Sequence, residues 1–301
     1  MSQFFDTLTA IAISNKPRAQ KVKEMQKATG MTAYAADVQI ESILFALKNK
    51  RPAADQNLTM RFTMGVEIEC FGINKQSVIN SLNAERIHAI ATGYNHTDYT
   101  DTYKLGSDGS ICGANSCEVV SPILHNLDSL KKVCKAINEA GAQVNKSCGL
   151  HVHFGAQNFT VAQWVRIIRN YAAIEHIIDS FMPNSRRANN NGYCKSIARP
   201  ASNLECWGAT SMRDIYEAFS HNRYYKLNVM AFTGHKTIEF RQHSGTTDFT
   251  KIEAWINFLR AFLEYSLNNE AIISASSIDE LPFLTNDQKA YYNNRKSELN
   301  R

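Results

Sequence analysis

The sequence predicts an α+β fold on three observations: helical patterning over the first sixty residues, short β-branched strands interleaved with helices from Arg61, and closing helical segments beyond Lys251. At 301 residues the chain exceeds a typical single domain. We read it as an N-terminal helical extension over 1–60, one main core over 61–270 and a C-terminal helical tail over 271–301.

In the extension, Pro17 can open a helix that Gly30 closes, and Thr32 precedes Val38, Ile43, Leu44 and Leu47 at helical spacing, with Pro52 as the stop. MRFTMGVEIECFGI then predicts a strand and SVINSLNAERIHAIA a helix. ANSCEVVSPIL is a short strand ended by Pro122, followed by a helix from Leu127 to Ala140 capped by Gly141. AQVNKSCGLHVHFGA is a further strand, and Thr160 caps a long helix toward Phe181. Ser211 opens a short helix, RYYKLNVMAF and HKTIEFRQHS predict a hairpin, and KIEAWINFLRAFLEYSL a core helix. Thr285 caps a last, mostly solvated helix.

Composition narrows the function class. With 44% hydrophobic residues and only 14 Gly and 6 Pro, the chain is neither mainly disordered nor collagen-like. Its start lacks the basic region of an export leader, and no apolar run is long enough to cross a bilayer. Seven cysteines, an odd number without C-x-x-C pairs, suit reduced thiols in a cytoplasmic protein. A net charge of +5 favours anionic partners such as nucleotide phosphates but is modest for a nucleic-acid binder, and no such signature is present.

The chemistry lies in the strands. Side chains alternate across a strand, so Glu67 and Glu69 share one face while Val66 and Ile68 take the other. His151 and His153 repeat the arrangement against Leu150, Val152 and Phe154. Glu239, Arg241 and His243 are expected to line up against Ile238 and Phe240, and Glu118 stands beside apolar Cys117 and Val119. Adjacent carboxylates raise each other's pKa unless a cation compensates. If these faces belong to one sheet, they assemble a site with several carboxylates for a divalent ion, a His to complete coordination and Arg241 to meet phosphate. Oxygen-rich ligation suggests Mg²⁺ or Mn²⁺ rather than zinc. A zinc site from Cys112, Cys117, Cys148 and His151 has no recognised spacing. The flanking glycines are expected to admit a ligand close to the backbone. The segment between Pro183 and Trp207, with three consecutive Asn and the cations Arg186, Arg187, Lys195 and Arg199, reads as a lid over an acidic substrate. Arg186 and Arg199 are its carboxylate-recognition candidates.

Five pieces, GVEIE at 65–69, SDGSI at 107–111, CEVVSP at 117–122, CGLHVHFG at 148–155 and TIEFRQHSGT at 237–246, together resemble the carboxylate-amine ligase superfamily of glutamine synthetase and glutamate-cysteine ligase, most closely its amidoligase branch. The resemblance covers about Arg61 to Leu267. It implies a curved antiparallel sheet whose concave face carries the active site, with helices on the outer side, and makes 61–270 the catalytic domain. It also implies that Glu67 and Glu69 each hold a different metal ion, Glu118 joining one cluster and His151 with Glu239 the other. Arg241 and His153 would then meet the ATP phosphates, with Glu67, Glu239 and Arg241 as the catalytic set. The expected reaction is ATP- and Mg²⁺-dependent amide formation through an acyl phosphate, between an acidic carboxylate substrate and an amine of a small molecule, peptide or protein. His243 or a nearby carboxylate would take the amine's proton. The competing readings are a metal-dependent phosphohydrolase or nuclease and a non-catalytic nucleotide-binding relative.

Overall fold

The computed structural model describes residues 2–48, 62–93 and 101–300. Two compact units are present, Met1–Thr63 and Met64–Arg301. In the first, α1 (Ser2–Ile13), α2 (Arg18–Thr29) and α3 (Ala33–Lys48) bury Leu8, Met25, Ile40 and Ile43 in a cluster of their own. Pro17 supplies the helical entry to α2, and Gly30 ends it at φ +73°, a left-handed conformation that costs glycine little. The expected stop at Pro52 and the strand entry at Arg61 lie outside the described residues.

The second unit is built on a seven-stranded sheet of order β2-β3-β4-β1-β5-β7-β6. The strands are β1 (Met64–Cys70), β2 (Ala89–Ala91), β3 (Tyr103–Gly106), β4 (Cys117–Val120), β5 (Gly149–Gly155), β6 (Leu227–Asn228) and β7 (Thr237–Ser244). All neighbours are antiparallel except β2 and β3. The helix expected over SVINSLNAERIHAIA stops early, as α4 (Lys75–Ala84), because Arg86 turns the chain at φ +61° and Ala89–Ala91 joins the sheet. The expected hairpin shrinks to a two-residue pairing of β6 with β7, with α9 (Ala231–His235) between them.

One face of the sheet is apolar and covered by helices. Val66, Ile68, Val119, Leu150, Val152 and Phe240 are all buried. Against them lie α6 (Val161–Ser180) and α10 (Phe249–Asn268), with Tyr171 and Phe262 both in ring contact with Phe240. α5 (Asp128–Glu139) joins through Ser129, whose hydroxyl is 2.8 Å from that of Tyr103 on β3. Capping boxes at Thr160 and Ser211 fix the starts of α6 and α8 (Met212–Ala218), where each side chain satisfies an otherwise orphan N–H. The last helix, α11 (Asn286–Leu299), docks by burying Tyr292 against Phe181 and Phe258. The segment expected as a lid loop is partly ordered: Asn184–Arg186 forms a helical turn and Ala198–Trp207 the helix α7. Among the described residues no helix is long and apolar enough to cross a membrane.

Candidate active site

The uncovered face carries the polar half of each alternation, and strand register brings the separate pairs together. Glu69 stands directly opposite Glu118 across β1 and β4, Glu67 opposite His151 across β1 and β5, and His153 opposite Glu239 across β5 and β7. Directly opposed residues lie on one face and within side-chain reach. Glu67, Glu69, Glu118, His151, His153 and Glu239 therefore meet on four adjacent strands. They line a cavity of about 690 Å³ together with Arg241 and Arg186.

His151 is the hub. Its Nδ1 donates to Glu67 Oε2 at 2.9 Å and lies 3.7 Å from Glu239 Oε1, and its Nε2 is 3.6 Å from Glu69 Oε1. Two groups result whose donor atoms all lie within 4.8 Å of one another: Glu67, His151 and Glu239, and Glu69, Glu118 and His151. Glu239 is oriented by Asn228, whose Nδ2 donates to Oε2, and by Arg241, whose Nη1 donates to Oε1, both at 2.5 Å. Glu69 Oε2 accepts the Gly149 N–H at 2.5 Å.

Electrostatics at the site are uneven. Burial would raise the pKa of Glu67, but the imidazoles of His151 and His153 outweigh it and hold the group well below the usual carboxylate range. Glu239 is likewise lowered: burial opposes ionisation, and the charges of Arg241 and His153 prevail. His153 is raised, since Glu239 and Glu67 overcome its burial. Glu118 goes the other way: burial, and then the charges of Glu67, Glu69 and Asp108, push it up to about 9. His153 Nε2, 3.3 Å from Glu67 Oε1 but poorly aligned, makes no hydrogen bond although buried. A carboxyl driven by burial and its neighbours to hold its proton, and a buried imidazole nitrogen without a hydrogen bond, leave the bonding capacity of this cluster partly unused.

Three expectations are corrected. His243 does not share the face of Glu239 and Arg241. Leu150 pairs with His243 and Val152 with Phe240, leaving Arg241 and Gln242 both opposite His151, and this β-bulge turns His243 toward the helices. There its ring packs on Trp255, and burial above all, with Arg295 nearby, pushes its pKa down to about 3. Arg199 is exposed on the first turn of α7 and does not line the cavity, whereas Arg186 is buried and donates to the Cys148 carbonyl. Gly149 admits no ligand: a Cβ there would lie 2.8 Å from His151 Nε2 and 3.2 Å from Arg186 Nη2. Cys117 faces the helices and Cys112 is exposed, so the four-residue zinc set does not converge.

The sequence reading missed Asn228, and it missed the cavity walls: Lys104 and Asp108 at one end, Tyr193, Arg223 and Tyr224 at the other. Lys104 was signalled by its alternation with buried Tyr103 and Leu105, in a strand too short to recognise, while Asp108 lay in the SDGSI piece and Tyr193 in the 183–207 segment without being singled out. No curated protein matches the chain at a significant level. The sequence pattern of a family described as "putative amidoligase enzyme" matches residues 60–263, which include every strand of the sheet. The chain belongs to that family.

Proposed function

We propose that the protein is an ATP- and Mg²⁺-dependent carboxylate-amine ligase, related to glutamine synthetase and glutamate-cysteine ligase, with the polar sheet face as the concave catalytic surface. The observation that carries this reading is the excess of converging carboxylates around His151, adjoining the Arg241 guanidinium that is paired with Glu239.

The donor set fits a hard divalent cation, because it offers carboxylate oxygens and imidazole without thiolate. Glu67, His151 and Glu239 would hold one ion, and Glu69 and Glu118, with His151, mark a second position. When bound, the ion neutralises the charge of the triphosphate. Arg241 holds the transferred phosphoryl oxygens, and His153, which lies between Glu67 and Glu239, stands on the same wall. The substrate carboxylate attacks the γ-phosphorus and displaces ADP, giving an acyl phosphate. The amine nitrogen then attacks the acyl carbon and phosphate leaves. A cluster carboxylate takes the amine's proton, since His243 faces the helices. The catalytic domain on this reading is 61–270. A cytoplasmic location suits both ATP supply and the free described cysteines.

The test is a screen of acid and amine pairs for ADP release, with mass analysis of the product. The expected product is the acid plus the amine less water, formed only with ATP. ADP release that never yields a condensed product, or product without ATP, would refute the assignment.

A further inference from the structure

The two ends of the cavity differ in chemistry. The β3 end presents small polar residues, Thr92, Gly93, Ser107 and Ser110, with Lys104 and Asp108. The other end presents two aromatic rings, Tyr193 and Tyr224, which meet edge to face with centroids 5.2 Å apart. Tyr193 is 54% exposed, so its ring is accessible from the cavity.

This wall is fixed in place before any ligand arrives. Asn191 Oδ1 accepts the Tyr193 N–H at 2.9 Å, and Asn222 Oδ1 accepts that of Tyr224 at 2.8 Å. The two segments are tied where the Lys195 N–H donates to the Tyr224 carbonyl at 2.9 Å. Ahead of Tyr224, Ser220 and His221 both hold left-handed backbone, at φ +51° and +49°, which a non-glycine pair adopts only under constraint. That turn delivers Arg223, whose guanidinium lies 5.2 Å from the Tyr224 ring centroid. The wall also joins the phosphoryl side of the site, because Arg241 Nε donates to the Tyr193 carbonyl at 3.4 Å.

We infer that Tyr193 and Tyr224, backed by Arg223, form the nucleobase-binding end of the cavity, and that the polar β3 end takes the amine-bearing partner. The inference rests on the ligase reading and assigns the direction in which the nucleotide lies. A purine has an apolar face to stack, and among the described residues Tyr193 and Tyr224 are the tyrosine, phenylalanine or tryptophan rings that line the cavity. From a base on Tyr193 the phosphates pass Arg241 on β7 and cross two strand spacings, roughly 10 Å, to reach Glu67 and Glu69 on β1. Among the described residues the β3 end has Asp108 to meet a cationic amine and no tyrosine, phenylalanine or tryptophan lining it.

The experiment is calorimetric titration of the protein and its Tyr193→Ala and Tyr193→Phe variants with Mg·ADP and, separately, with Mg·tripolyphosphate, which lacks the base. Loss of one stacking ring is expected to weaken Mg·ADP binding about tenfold or more. Tyr193→Phe should stay within about twofold, and tripolyphosphate affinity should be unchanged in both variants. Unaltered Mg·ADP affinity in Tyr193→Ala, or equal loss of both ligands, overturns the assignment alone. Failure of the unmodified protein to bind either ligand overturns the ligase reading as well.

Discussion

Two clusters of buried charge lie on opposite faces of the same sheet, and they are finished differently. Behind the sheet, Lys226, fully buried, pairs with Glu175 at 2.8 Å and Asp179 at 2.7 Å. The remaining acceptors are used too: Glu175 takes the Ile197 N–H, and Asp179 takes the Ala188 N–H and the Gln242 amide, which itself accepts from Tyr171. On the open face, four glutamates meet two imidazoles and Arg241, Glu118 is driven to hold its proton, and His153 Nε2 makes no hydrogen bond. Burial of charge is common to both. What separates structure from site is whether the hydrogen-bonding capacity has been used up from within.

That contrast can be broken in four ways. The largest effect belongs to the open face: Arg241→Ala or Glu69→Gln should cut ligase turnover by about 10³-fold or more, while leaving the melting temperature within about 3 °C. Retained turnover in either variant would show that the unfinished cluster is not where the reaction occurs. Lys226→Met should act the opposite way and destabilise by about 3–5 kcal/mol in urea unfolding, because two carboxylates lose their buried cation. A variant as stable as its parent would mean that the finished cluster is dispensable. Mg²⁺ or Mn²⁺ at about a hundred times its dissociation constant should stabilise the parent by about 2.7 kcal/mol, and Glu118→Gln should lose most of that gain. Equal gains in thermal scans would remove Glu118 from the donor set.

The smallest of the four effects is a dependence on pH. His243 has a folded pKa of about 3, below its ordinary value near 6.5, so the unfolded chain binds the proton first as pH falls. The stabilisation is complete above about 6.5 and declines as pH drops toward 3. Between pH 7.5 and 5 it should cost about 2 kcal/mol, a loss that His243→Phe removes. An unchanged pH slope in that variant would mean that His243 is not held neutral by its contact with Trp255.

The regular strands were legible because period-two alternation carries through them without interruption. Glu67 and Glu69 on β1, and His151 and His153 on β5, follow directly from it, and the pairing register then sets them opposite one another. On β7 the same rule places Glu239 correctly and misplaces His243, since one extra residue opposite His151 reverses the alternation and leaves no local mark in the sequence. Strands β2 and β3, three and four residues long, are too brief to show a period at all. The Lys226 cluster was invisible for a different reason: its partners lie 47 and 51 positions away, and a Lys at the end of a short strand looks like any surface cation.

The missing side chain at position 149 constrains more than its own residue. Its vacant Cβ position is occupied by the imidazole of His151 and the guanidinium of Arg186, while its N–H anchors Glu69. A side chain at 149 would thus require the His151 ring to shift and the Arg186 guanidinium to give way by a few tenths of an ångström. A homologue with alanine there should more often have replaced the histidine or the arginine, a covariation that any sufficiently deep set of related sequences can confirm or deny.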